Sequence, residues 1–169
     1  MVKISETIAL ALDITPKGIA FAVLEGMERL YDAGVTYVDL PSKHAYVEKV
    51  ETLVLRYLPQ VLVLEDTEGI GFKKGPRSKH VIKRIELLAL SKTLPVVKVS
   101  RKEVLSVFGT KNKYETATTV ARFFPELEKR LPDNRKPWES ELDRTNIFDA
   151  VSFALTAYRK PLDLEDIAA

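Results

Sequence analysis

The chain has 169 residues, which suits one domain built around a single substantial core. Its 46% hydrophobic content is ordinary for a globular protein, and no apolar stretch approaches the ~20 residues that a membrane-spanning helix needs. With no cysteine there are no disulfides, thiolate metal sites or cysteine nucleophile, and a net charge of +2 is too small to imply a nucleic-acid partner on its own. The start of the chain lacks the basic, then apolar, then small pattern of a secretion signal, since Ile8–Leu12 runs straight into Asp13. Together with the missing cysteines, this is the composition expected of a cytoplasmic protein.

Along the chain, Ile8–Ile14 is an apolar strand of the kind covered on both faces. Thr15–Gly18 is a turn in which Pro16 presets φ and Gly18 adds freedom. Ile19–Leu24 is a second strand, Glu25-Gly26 turns the chain, and Arg29–Val38 is a third, weaker strand, so the three form an antiparallel meander. Lys43–Leu58 predicts an amphipathic helix with Tyr46, Val47, Val50, Leu53, Val54 and Tyr57 on one stripe, ended by Pro59.

Val61–Leu64 is a short, wholly apolar strand, followed by the Gly-rich segment Asp66–Pro76. Ser78 is the expected N-cap of a helix through Leu90, and Val96–Val99 is the fifth strand. Ser100 and Glu103 form a capping box for a short helix to Phe108, stopped at Gly109. Tyr114–Arg130 is helical with a bend at Pro125, 131–142 is a polar loop, and the last helix runs from about Arg144 to Arg159, with 161–169 as a tail. The expected fold is α/β, a mixed five-stranded sheet flanked by helices with right-handed crossovers. This element order is shared by ribonuclease-H-like nucleases and by one half of the actin/hexokinase-type ATPases.

Three acids stand at the ends of apolar segments. Asp13 follows Ile8–Leu12, Glu65 follows Val61–Leu64, and Asp149 opens the apolar stretch Ala150–Tyr158. A carboxylate at the end of a buried strand is costly without compensation, and three meeting at one point repel, for which a divalent cation is the usual remedy. Charge is also clustered. Phe72–Arg84 carries Lys73, Lys74, Arg77, Lys79, Lys83 and Arg84 without an acid, and Lys98, Arg101, Lys102, Lys111 and Lys113 form a second group with Glu103 the one acid among them. Each cluster reads either as a solvated face or as a phosphate-binding surface beside the acidic centre.

These residues carry a resemblance. Ala9–Leu12 with Asp13, a turn and a second strand resembles the first strand of RuvC-type Holliday junction resolvases of the ribonuclease-H-like superfamily. Val63-Leu64-Glu65 resembles that family's second acidic position, Val97–Gly109 and the lysine-bearing stretch beyond it are similar to the region after its fifth strand, and Asp149–Thr156 looks like its terminal helix. The resemblance spans roughly Ile8 to Tyr158 and implies a metal-dependent endonuclease acting on structured DNA, Holliday-junction-like, in recombination and repair. It further implies a homodimer and leaves any helicase or recombination partner unnamed.

It also implies two Mg²⁺ or Mn²⁺ ions about 3.5–4 Å apart, bridged by Asp13 with Glu65 and Asp149 on either side. One functional lysine is implied among Lys102, Lys111 and Lys113. The chain departs from the family where a second acid precedes the helix aspartate by one turn: here stands Asn146, whose amide oxygen can coordinate but brings no charge. Asp143, two turns before Asp149, either substitutes or caps the helix, with Glu141 and Asp66 as weaker candidates. Asn146 leaves open a catalytically degenerate binding or scaffold protein. An actin/hexokinase-type ATP site would want glycines just after Asp13, where the chain has Ile14-Thr15-Pro16.

The nucleic-acid-contacting set read from the sequence is Phe72, Lys73, Lys74, Arg77, Lys79, Lys83 and Arg101. Phe72 either stacks on a base or anchors its loop, and Trp138 divides the same way. His44 and His80 are isolated. Gly69, Gly71 and Gly75 read as a source of mobility after Glu65, in a spacing that matches no phosphate-binding loop.

Overall fold

The computed structural model of the chain describes residues 6–38, 42–131 and 145–160. Among them, the order is β1 (Ile8–Thr15), β2 (Gly18–Glu25), β3 (Arg29–Tyr37), α1 (Lys43–Tyr57), β4 (Val61–Glu65), α2 (Pro76–Ser91), β5 (Val96–Val99), α3 (Arg101–Phe108), α4 (Lys113–Phe123), a 3₁₀ helix (Pro125–Arg130) and α5 (Asn146–Arg159). The strands form one mixed sheet in the order β3-β2-β1-β4-β5, antiparallel through β1, β2 and β3 and parallel through β1, β4 and β5. No helix among the described residues is long and apolar enough to cross a membrane.

Local chemistry accounts for most boundaries. Ser42 caps α1 by accepting from the Ala45 N–H. The Ser100–Glu103 capping box forms, with both reciprocal bonds present, and Gly109 ends α3 in the left-handed region. The expectation at α2 needs correction: the helix starts at Pro76 rather than after Ser78, with Gly75 at the cap position. A proline at the first helical position lacks only an N–H that would have had no helical partner. The expected single bent helix over Tyr114–Arg130 is two elements. Asn112 caps α4 through the Glu115 N–H, the helix stops at Phe123, and Pro125 starts a tighter 3₁₀ turn because it cannot donate to the preceding turn. Helix α5 starts at Asn146, which puts Asp149 in its first turn; Arg144 and the loop 132–142 lie outside the described residues.

Strand parity divides the core. Leu10, Leu12, Ile14, Leu62 and Leu64 pack on the face covered by α1 and α2, with Val50, Leu53, Ile82 and Ile85. Ala9, Ala11, Val61 and Val63 face the other way, against α5 residues Ala150, Phe153, Ala154 and Ala157. Small residues on both sides let α5 lie close to the sheet. Tyr158, at the far end of α5, buries its hydroxyl 2.8 Å from the Thr7 carbonyl oxygen and 2.9 Å from that of Leu24, and burial pushes its pKa up to about 12.

Candidate functional site

The parity that sorts the core also aims the acids. Ala9 pairs with Val61 and Ala11 with Val63, an offset that carries Asp13 to Glu65 on the neighbouring strand. Asp13 follows Ala9 and Ala11 in the alternation, and Glu65 follows Val61 and Val63, so both side chains emerge on the α5 face. Asp149, in the first turn of α5, meets them there. All three are buried, Asp13 and Glu65 at 2% exposure and Asp149 at 7%. Burying even one unpaired carboxylate costs several kcal/mol, so the site has to hold counter-charge.

The counter-charge is organic. The Arg101 guanidinium donates from Nε to Glu65 Oε1 at 2.5 Å and from Nη2 to Asp13 Oδ1 at 3.3 Å, and its Nη1 lies 3.1 Å from Asp149 Oδ1. Its fork geometry lets one side chain serve three acids at once. Lys74 donates to Asp13 and lies 3.4 Å from Glu65 Oε2, while Lys113 donates to Asp149 Oδ2 at 3.2 Å. Three carboxylates therefore meet three cations. Burial alone would raise the pKa of Asp13, but Lys74 and Arg101 reverse this and hold it below the usual carboxylate range. Burial disfavours the charge of Arg101 in turn, and Asp149, Asp13 and Glu65 more than restore it.

The seat of Arg101 is shaped by its surroundings. It is the first residue of α3, directly after the Ser100 cap, and its guanidinium carbon lies 4.8 Å from the ring centroid of Phe153. The Gly-rich segment packs against this corner. A Cβ on Gly69 would fall 2.6 Å from Ser100 Cβ, and one on Gly71, where φ is +95°, would fall 2.9 Å from Arg101 Cβ. Gly69 and Gly71 thus serve close packing, whereas a Cβ on Gly75, also expected to add mobility, would meet no neighbour within 4 Å.

The acids stand at the floor of an open cleft of about 1070 Å³. Lys17, Lys73, Lys74, Arg101, Lys102, Lys111 and Lys113 line it, as do Ser78, Asn112 and Asn146. Of the residues read from the sequence as nucleic-acid-contacting, Lys73 faces the cleft directly, while Lys74 and Arg101 also belong to the acidic centre. Phe72 packs onto the core beside α1 and α2, which favours the loop-anchoring alternative. Arg77, Lys79 and Lys83 lie outside the cleft lining, and Lys79 pairs with Glu68 at 2.7 Å. Position along the loop and the first turn of α2, not charge count, decides which of this run lines the cleft. Among the three candidate lysines, Lys113 touches an acid, and Lys102 and Lys111 line the walls.

Asn146 lines the cleft one helical turn before Asp149. Asp143, Glu141 and Trp138 lie outside the described residues. Asp66 is a turn-former, its Oδ1 accepting from the Glu68 N–H. His44 pairs with Glu48 and His80 lies against Lys43, both away from the cleft. Sequence reading missed Lys17, which the turn after β1 carries to the rim, and missed that Arg101 is central. A basic residue at the first position of a helix that follows a strand next to Glu65 was the available signal.

The donors fit a divalent ion in kind: hard carboxylate oxygens, with buried Glu65 Oε2 accepting no hydrogen bond. Among the described residues, however, no group of three acidic or histidine side chains is arranged to hold an ion outright. The carboxylates are spread around a guanidinium.

No protein-family model and no curated protein matches this sequence. Solved structures do match by shape. Thermus thermophilus RuvC in complex with a Holliday junction substrate is 14% identical, with a TM-score of 0.62 over 88% of this chain and 90% of that one. Another Thermus thermophilus RuvC structure is 16% identical, with a TM-score of 0.62 over 88% and 92%. The yeast mitochondrial Holliday junction resolvase is 13% identical, with a TM-score of 0.56 over 89% of this chain and 77% of its own. The chain shares the fold of these RuvC structures, as the sequence resemblance led one to expect. Gly18 is required by packing: a Cβ there would sit 2.2 Å from the Thr36 carbonyl oxygen, where β2 meets β3.

Proposed function

We propose that the protein is a divalent-metal-dependent endonuclease that hydrolyses phosphodiester bonds in branched DNA. One observation carries the reading: three buried carboxylates from β1, β4 and α5 converge on a single cationic centre at the floor of a basic cleft. Asp13, Glu65 and Asp149 would hold Mg²⁺ or Mn²⁺, with the Asn146 amide oxygen as a neutral donor. A bound ion supplies an acidified water and neutralises charge on the phosphate and the leaving oxygen. The chain's own residues do the rest. Lys73, Lys102 and Lys111 on the cleft walls attract and orient the phosphate backbone without reading bases. Lys113, held by Asp149, is the lysine best situated to steady charge at the scissile phosphate.

The substrate is a branched duplex on this reading, and the working unit is a homodimer, because a four-way junction has two-fold character and paired cuts need two sites. Helices α1 and α2 pack together and leave Leu55, Leu87, Leu90 and the cap residue Leu58 exposed, apolar surface that a second copy would cover. A second reading, binding without cutting, draws support from the charge balance of the site and from Asn146 in place of an acid.

The deciding experiment is a panel of labelled four-way junctions, flaps, RNA–DNA hybrids and single strands, incubated with Mg²⁺ or Mn²⁺. Ion-dependent cutting of the junction that Asp13→Asn abolishes is the expected result. Tight junction binding with no cutting under either ion would establish the second reading, and cutting by Asp13→Asn at the wild-type rate would sink the first.

A further inference from the structure

We propose that Arg101 is a resident counter-ion that guards the acidic centre, so that a divalent cation enters only by displacing its guanidinium into the cleft. The inference deepens the metal-dependent reading above and rests on it.

Arg101 reaches all three acids on which a divalent ion would depend, and it uses an oxygen of each. A dication drawn to the same carboxylates would stand close to the guanidinium, and like charges that close in a partly buried site repel strongly. Against three carboxylates, Lys74 and Lys113 leave one negative charge: the guanidinium cancels it, a dication in its place overshoots by one, and both together overshoot by two. The main chain at Arg101 is held independently of its guanidinium, pinned by the Ser100–Glu103 capping box and by the Lys102 N–H donating to the Ile70 carbonyl at 3.3 Å. The guanidinium itself borders the open cleft, and among the described residues it is held by its stacking on Phe153 and its three acid contacts. Once displaced, it joins Lys73 and Lys102 on the cleft wall, where a nucleic-acid phosphate can take over as its anionic partner. Occupancy by metal and engagement of the phosphate backbone then favour the same arrangement, which couples metal loading to substrate.

The test reads metal binding and the arginine itself, not cleavage. Mn²⁺ binding to nucleic-acid-free protein is measured by calorimetry for wild type, Arg101→Gln and Arg101→Lys. In parallel, the Arg101 Nε–H resonance of ¹⁵N-labelled wild type is followed during titration with Mg²⁺. Arg101→Gln is expected to bind Mn²⁺ roughly tenfold more tightly than wild type, within the range of coupled-site effects, with Arg101→Lys in between. In wild type, the Nε–H signal, protected by Glu65 without metal, should shift and exchange with solvent as Mg²⁺ saturates. Equal Mn²⁺ affinity in wild type and Arg101→Gln, or an Nε–H signal that stays put at saturating Mg²⁺, overturns the guarding role while leaving the metal site standing. Absence of Mn²⁺ binding in every protein removes the metal-dependent reading and this inference with it. Should Arg101→Gln fail to fold, the wild-type resonance still decides.

Discussion

Neutralising Asp13 in metal-free buffer has a sign that distinguishes two kinds of acidic site. Where three carboxylates crowd together awaiting an ion, removing one charge relieves repulsion and stabilises the protein. Here the acids are already matched by Arg101, Lys74 and Lys113, so Asp13→Asn leaves three cations facing two acids in a buried corner. Removing one partner of a buried ion pair costs roughly 3–5 kcal/mol, and an isosteric amide that keeps one acceptor oxygen belongs near the lower end, about 3 kcal/mol. For a chain of this length each kcal/mol is worth about 2–4 °C, so the melting temperature in EDTA should fall by roughly 6–12 °C. The same substitution tests the pH dependence. The pKa of Asp13 is depressed in the fold, so its contribution is complete above the unfolded-state value of about 3.9 and is lost as pH falls through the lower folded value. The gap between wild type and Asp13→Asn should therefore be full at pH 7 and close progressively below about pH 4. Calorimetric or circular-dichroism melts across that range check both parts. A variant as stable as wild type at pH 7 in EDTA, or more so, would refute the charge-balanced account of the site.

The cleft walls make a further prediction: Lys73→Ala, Lys102→Ala and Lys111→Ala should each weaken junction binding and lower the slope of log affinity against log salt by up to ~0.9, whereas Lys83→Ala, outside the cleft, leaves the slope unchanged in fluorescence anisotropy titrations. Gly18→Ala pushes a methyl to 2.2 Å from the Thr36 carbonyl oxygen, so β2 and β3 must separate, with a loss of about 3 kcal/mol in urea unfolding. Tyr158→Phe strips a buried hydroxyl from between the Thr7 and Leu24 carbonyls and should cost about 1–3 kcal/mol in the same assay, without altering the cleft.

Much of the fold was legible along the chain because the signals are local. Apolar runs bounded by turn residues mark β1, β2 and β4, Ser100 announces the helix it caps, and Gly109 announces an end. Where expectation slipped, two chemistries competed for the same few residues. Ser78 is a good capping type, but Pro76 had already started α2, and a bend was expected at Pro125 where the ring forces a change of helix type. Asp13 and Glu65 were legible for a related reason: a carboxylate closing a buried strand is a local anomaly that needs no knowledge of its neighbours.

What surrounds those acids was not legible, because it depends on which segments meet. Arg101 lies 88 residues from Asp13 and reaches it only because β5 pairs beside β4 and delivers α3 to the same end of the sheet. Lys74 and Lys79 sit in one basic run, yet the first bonds to Asp13 and the second to Glu68 on the outside. Residue order supplies charges and their approximate stations; direction and partner come from strand register and helix packing, which sum many weak contacts over the whole chain. Whether a carboxylate faces an ion, an arginine or water is therefore a property of the assembled sheet and helices.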